Sequence, residues 1–248
     1  MSRFMFNQGG GDIPVPGNDA YTKVLLHMNG VNGGTTFADD NSGGVSGRSW
    51  TPGSGVTTSS VPKKFGASSG LFSPSGTAAN KTNNILTATS SDLYPGSLGA
   101  FSIDCWVNLG TSNAAIIAAL GDANATNGLC FFFRSNSDQT LSLFRPISPV
   151  SGSASLTSTA KITANTWAHV YAAFDNGTYY LGVNGTVKTG TDVRTPGGPN
   201  GPMCVGMNYN SSSGFTGDPW IGNIDEFRYS VGIVRWASNF TPPTGPYN

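Results

Sequence analysis

From Tyr21 to the C-terminal end, apolar and polar residues alternate in short runs separated by glycine, proline, asparagine and aspartate. "FSIDCWV" (101–107) puts Phe101, Ile103, Cys105 and Val107 on one face and Ser102, Asp104 and Trp106 on the other, the period of a strand. "LCFFFR" (129–134) and "TLSLFR" (140–145) flank a polar loop, as the arms of a hairpin do. In "NTWAHVYAAFDNGTYYLGVNGTVKTG" the pattern predicts strands over 167–174 and 178–183, joined by Asp175-Asn176-Gly177. Asn184-Gly185 then forms a two-residue turn into a third strand over 186–189, because such turns need residues that tolerate positive φ. "NAAIIAALGD" (113–122) fits either one short helix or a strand. Short strands without intervening long helices predict two stacked antiparallel sheets, a β-sandwich.

Residues 1–20 stand apart. "GGGDIPVPGND" holds too much glycine and proline for a helix or a central strand, and reads as an extended arm or a disordered tail. The domain proper is expected over 21–248, long enough to bury a core without metal or disulfide staples. The 13 basic and 13 acidic residues cancel, and charged residues make up only 10 % of the chain, against about 25 % in ordinary soluble domains. Such a surface attracts neither nucleic acid nor anionic lipid, so neither is an expected partner. No apolar run reaches the ~18 residues that would span a bilayer. "MSRFMFNQGGGDIPVPGND" has no apolar segment of the signal-peptide kind, so the usual secretory route is expected to be closed if Met1 is the native start. Cys105, Cys130 and Cys204 lack zinc or redox spacing. They read as buried thiols, with a Cys105–Cys130 pair left open.

The pattern carries a family likeness. "FSIDCWVNL", "NTWAHVYAAFDNGTYYLGVNGTVK" and "GNIDEFRYSVGIVRWASNFTPP" resemble three successive signatures of the concanavalin A-like jelly-roll domains of laminin-G-like type. "VLLHMNGVNGGTTFADDNSG" and "PKKFGASSGLF" resemble the opening strand, acidic loop and following turn of those domains. The resemblance spans about 21–247 and implies an all-β, two-sheet antiparallel jelly-roll sandwich preceded by the extended arm. Two departures stand out. Asp104 replaces a glutamate of the first signature, and the loop reads Asp39-Asp40-Asn41-Ser42-Gly43, which leaves the counterpart of the loop aspartate open between Asp39 and Asp40.

Four kinds of chemistry are worth weighing. Glycoside hydrolysis needs two carboxylates about 5 Å or more apart across the scissile bond. Asp104 is alone in its strand, and the adjacent Asp225 and Glu226 should point to opposite faces, so no enzyme is expected. His27 and His169 read as satisfied sheet histidines. Calcium is the expected cofactor: "ADDNSGG" offers oxygen ligands from Asp39, Asp40 and Asn41, and the resemblance implies Asp225 as a further ligand, leaving Glu226 to Arg228 or solvent. The alternative for that loop is an Asx-turn capped by its own side chains. Sugar rings stack on exposed aromatic faces, and "VGMNYNSSSGFTGDPW" is the richest candidate, with Tyr209, Asn210, Phe215, Asp218 and Trp220; its aromatics could equally plug the end of the sandwich.

The tail "RWASNFTPPTGPY" is similar to versions in bacteriophage structural proteins. That resemblance implies a non-enzymatic virion protein, a capsid decoration or a tail or fibre component, assembled in the host cytoplasm. Its expected partners are other virion proteins, met through the arm, and host-surface glycans; a homo-oligomer would suit such a protein. The alternative is a free carbohydrate-binding module or lectin.

Overall fold

The structure, a computed structural model, describes residues 17–73, 85–87, 90–96, 99–110, 114–122, 129–144, 156–191, 201–210, 214–216 and 219–248. The expected arm at 1–20 therefore lies outside the described residues except for 17–20. The first half of the chain supplies β1 (Thr22–Leu26), β2 (Thr51–Pro52), β3 (Val56–Ser59), β4 (Ser69–Phe72), β5 (Ile85–Thr87), β6 (Phe101–Leu109) and β7 (Ala115–Gly121). Next come β8 (Leu129–Ser135), β9 (Thr140–Phe144), β10 (Leu156–Lys161), β11 (Trp167–Asp175) and β12 (Thr178–Val183). The last are β13 (Thr186–Thr191), β14 (Met203–Val205), β15 (Asn208–Asn210), β16 (Gly214–Thr216) and β17 (Gly222–Val231).

Two antiparallel sheets stack into the sandwich. One runs β13-β12-β11-β6-β17-β4-β3, with β1 also on β17; the other runs β10-β9-β8-β7-β14-β5-β2. The alternating apolar faces meet between them: Phe101, Ile103, Cys105 and Val107 join Phe131, Phe133, Val170, Phe174, Ile224 and Phe227 in one core. Phe101 stacks on Phe131 at 5.0 Å, fixing the spacing of the sheets at that point. The 113–122 stretch is strand β7, since seven buried residues in the middle of a sheet leave no polar face for a helix. The predicted meander holds, with Asn176, Gly177, Asn184 and Gly185 all at positive φ.

Cys105 is a free buried thiol, which settles the open pairing with Cys130. Burial pushes it far up from the usual thiol range and pushes Cys204 up to about 12.

The main surprise is on the other face of β6, β11 and β17. Alternation predicts that Ser102, Asp104 and Trp106 face water, yet Ser102 and Asp104 are wholly buried and Trp106 is 7 % exposed. The chain after β17 crosses this face and seals it. Ser102 Oγ donates to the Ile233 carbonyl, the Arg235 amide donates back to Ser102 Oγ, and the Trp236 amide donates to Tyr171 Oη. Farther along, the Phe240 amide donates to the Gly185 carbonyl, and Tyr247 is 5 % exposed. A polar strand face therefore reads the same in sequence whether water or a returning segment covers it.

Candidate functional site

The sealed face is an aromatic and charged layer. Cross-strand neighbours share a face, and here His169 lies beside Trp106, Tyr171 beside Asp104, and Arg228 beside Asp104. Arg228 forks onto Asp104, Nε to Oδ1 at 3.0 Å and Nη2 to Oδ2 at 3.1 Å, with both side chains wholly buried. Burial alone would raise the Asp104 carboxyl, but Arg228 and His169 together outweigh it and hold the group well below the usual carboxylate range. Burial lowers His169, with Asp104 only partly opposing it, so this ring is neutral. Tyr247 Oη donates to Asp104 Oδ2. Its one proton is thereby used, so the His169 Nε2, 3.2 Å away, must be the donor to that oxygen.

Asp225 and Glu226 correct the expectation of opposite faces. The pairing of β17 with β6 slips between Asp225 and Arg228, and Glu226 has φ of +51°. Such a slip is a β-bulge, one extra residue opposite the partner strand. Ile224 and Phe227 on either side both enter the core. The bulge thus places both carboxylates away from the core. Asp225 Oδ2 accepts the amides of Lys64 (2.8 Å) and Phe65 (3.0 Å), and Oδ1 accepts the Glu226 amide (3.0 Å). Burial nevertheless pushes its carboxyl up to about 7, with the Glu226 charge adding to the shift. Glu226 meets neither Arg228 nor solvent. It takes the Tyr247 amide at 2.9 Å and His27 Nδ1 at 2.9 Å, and that bond raises the His27 pKa.

Of the expected calcium ligands, Asp39 and Asp225 are engaged by N–H donors of the protein. Asp39 Oδ1 accepts the amides of Leu25 (3.0 Å) and Asn41 (3.3 Å), while Oδ2 faces Trp50 Nε1 (3.1 Å) and Arg48 Nε (3.2 Å). This is the Asx-turn alternative, and it pins the loop to β1. Asn41 Oδ1 caps the same turn through the Gly44 amide, and Asp40 is a half-exposed neighbour of His27 at 4.0 Å. Among the described residues no three His, Cys, Asp or Glu side chains are placed to hold a metal ion.

The expected sugar loop is only partly described. Trp220 is wholly buried in the core, so it plugs the sandwich and offers no face to a ligand. Tyr209 is half-buried in β15, which pairs with β16 and bridges Asp122. Asn210 and Phe215 are described in backbone only, and Asp218 lies outside the described residues.

Sequence reasoning missed a cleft of about 270 Å³ on the sealed face, at the mouth where the C-terminal segment meets the start of the described chain. Gly17, Arg228, Trp236, Pro243, Gly245 and Tyr247 are among its walls. Phe240 covers one face of the Trp236 indole, 4.0 Å away and nearly parallel. Arg228 Cζ sits 5.7 Å from the indole centroid and 3.9 Å from the Tyr247 ring. The signal available beforehand was the density of rings and prolines in "RWASNFTPPTGPY".

Comparison with known proteins fits this architecture. Residues 79–231 match the family described as the concanavalin A-like lectin/glucanases superfamily. The chain belongs to that superfamily. No curated protein matches it. Among solved structures it is similar to the binding domain of Paraclostridial mosquitocidal protein 1 (12 % identity, TM-score 0.60, 87 % of this chain and 50 % of that one). It is also similar to the binding domain of botulinum neurotoxin serotype G (13 % identity, TM-score 0.59, 86 % and 48 %). The chain thus spans about half the length of either toxin structure. A third likeness is domain 4 of AbnA, an extracellular arabinanase of Geobacillus stearothermophilus, in complex with arabinotriose (16 % identity, TM-score 0.57, 86 % and 94 %). At these identities the likeness is one of fold.

Proposed function

We propose that this chain is a non-catalytic carbohydrate-binding domain of the lectin type. The observation that carries the reading is the state of the carboxylates. Asp104, Asp225 and Glu226 are all buried and all engaged by N–H or O–H donors of the protein, so none of the three faces a second carboxylate across an open cleft. An aromatic-walled cleft on the same face remains open to a ligand. The superfamily, together with similar structures that are named as binding domains or hold a bound oligosaccharide, supports binding rather than turnover. A glycan array probed with the intact protein, paired with a reducing-sugar assay on any glycan retained, tests this. Binding without release of reducing ends is expected; sugar release, or a blank array, would overturn it.

The virion setting rests on the resemblance of the C-terminal tail. The structures named above are toxin and glycosidase domains, which supports placing the free module first. Mass spectrometry of particles from the source discriminates: stoichiometric copies would reinstate a virion protein, which could still bind host glycans.

A further inference from the structure

We infer that the cleft between Trp236 and Tyr247 is the glycan site, and that it takes one ring of a neutral pyranoside. The inference rests on the carbohydrate-binding reading and assigns that reading a place and a ligand class. Three observations lead to it. First, of five tryptophans, Trp50, Trp106 and Trp220 are buried, and of the half-buried Trp167 and Trp236 it is Trp236 that lines the cleft. Phe240 stacks on the indole, Tyr171 and His169 meet it nearly at right angles at 5.1 and 5.5 Å, and the remaining indole surface lines the cleft beside Arg228. Apolar ring surface of that kind, from Trp236 and Tyr247, suits the C–H face of a sugar ring. Second, about 270 Å³ is slightly below the ~300–1,000 Å³ of pockets for drug-sized ligands, which is room for one ring with the rest of a glycan outside.

Third, the polar groups available select against an acidic sugar. The Arg228 cation is already matched by the Asp104 fork, and its Nη1 donates to the Gly17 carbonyl at 2.6 Å. Pro243 and Pro246 line the cleft with carbonyls and no N–H, so these two residues offer acceptors only. Sugar hydroxyls satisfy acceptors; a carboxylate or sulfate does not.

Gly245 provides a clean test. It lines the cleft, and a Cβ built on it meets nothing within 4 Å. Gly245→Phe should therefore fill the cleft without disturbing the core. Wild-type protein, Gly245→Phe and Trp236→Ala would be probed on one array of neutral and acidic glycans, with a thermal melt of each. The inference expects retention of neutral glycans by the wild type, and at least ten-fold weaker binding by Gly245→Phe at an unchanged melting temperature. Trp236→Ala should lose binding too, but only Gly245→Phe separates blocking from unfolding. If the wild type binds and folded Gly245→Phe binds equally well, the site is elsewhere and the carbohydrate reading survives. Retention of acidic glycans alone overturns the ligand class. A wild type that binds nothing overturns both.

Discussion

Replacing Asp104 by Asn tests whether the C-terminal segment truly seals the β6–β11–β17 face. The change keeps shape but removes the charge that Arg228 is forked onto, with both side chains wholly buried. Breaking one side of a buried ion pair typically costs about 3–5 kcal/mol, because the remaining charge stays desolvated. In a domain of this size each kcal/mol lowers Tm by about 2–4 °C, so the expected fall is about 6–20 °C. Tyr247→Phe removes only the hydroxyl that donates to the same carboxylate, a loss of about 1.5–3 kcal/mol for a bond to a charged group. The two substitutions share a partner, so the double variant should cost less than the sum. Chemical denaturation of the four proteins gives these numbers directly. A cost below about 1 kcal/mol for Asp104→Asn is what a solvated surface pair shows; it would mean that water reaches the Asp104 side of the fork and that the segment does not seal the face.

Stability should also fall as pH rises toward neutrality. Folding raises the Asp225 carboxyl from 3.8 to about 7, so between those values the folded state holds a proton that the unfolded state has released, and each step up in pH favours unfolding. His27, raised above 6.5 by Glu226, acts in the same sense: its contribution is complete below 6.5 and is lost as pH passes its folded value. Asp225→Asn should flatten the slope of Tm between about pH 4 and 7, and an unchanged slope would count against the assignment. Gly222→Ala should abolish soluble protein or cost more than about 2 kcal/mol, since φ is +135° and the added Cβ would sit 2.2 Å from the Asn108 carbonyl oxygen; wild-type stability would show that β17 and β6 are not so closely paired there. Chelation is expected to leave Tm unchanged, because the oxygens of Asp39 and Asp225 already face N–H donors; a drop of several degrees in EDTA would bring calcium back.

What could be read from sequence follows from how local each signal is. The Asn184-Gly185 turn, the apolar faces of β6 and β11 and the stacking of two sheets need only neighbours along the chain or across one hairpin. The bulge at Glu226 was invisible, because a period of two assumes an unbroken ladder and the slip is defined by β6, more than a hundred residues away. The sealed face was invisible for a related reason. Asp104, Trp106, His169 and Tyr171 occupy polar-side positions, and only the return of residues 232–248 tells a buried layer from a wet one. The hint was there in kind: outward-facing Trp, His and Tyr side by side are costly to leave in water, and "RWASNF" could cover them. Trp220 was legible only as a choice between ligand contact and a plug, since a tryptophan in a Gly/Ser-rich stretch fits both, and it fills the core.

The central claim, a glycan-binding domain whose site is the Trp236 cleft, is tested most directly by equilibrium binding of one retained neutral glycan to the wild type and to Gly245→Phe. The account predicts saturable binding to the wild type and loss of at least ten-fold in the filled variant at equal stability. Equal affinity in the two proteins, or no saturable binding to any glycan, would contradict it.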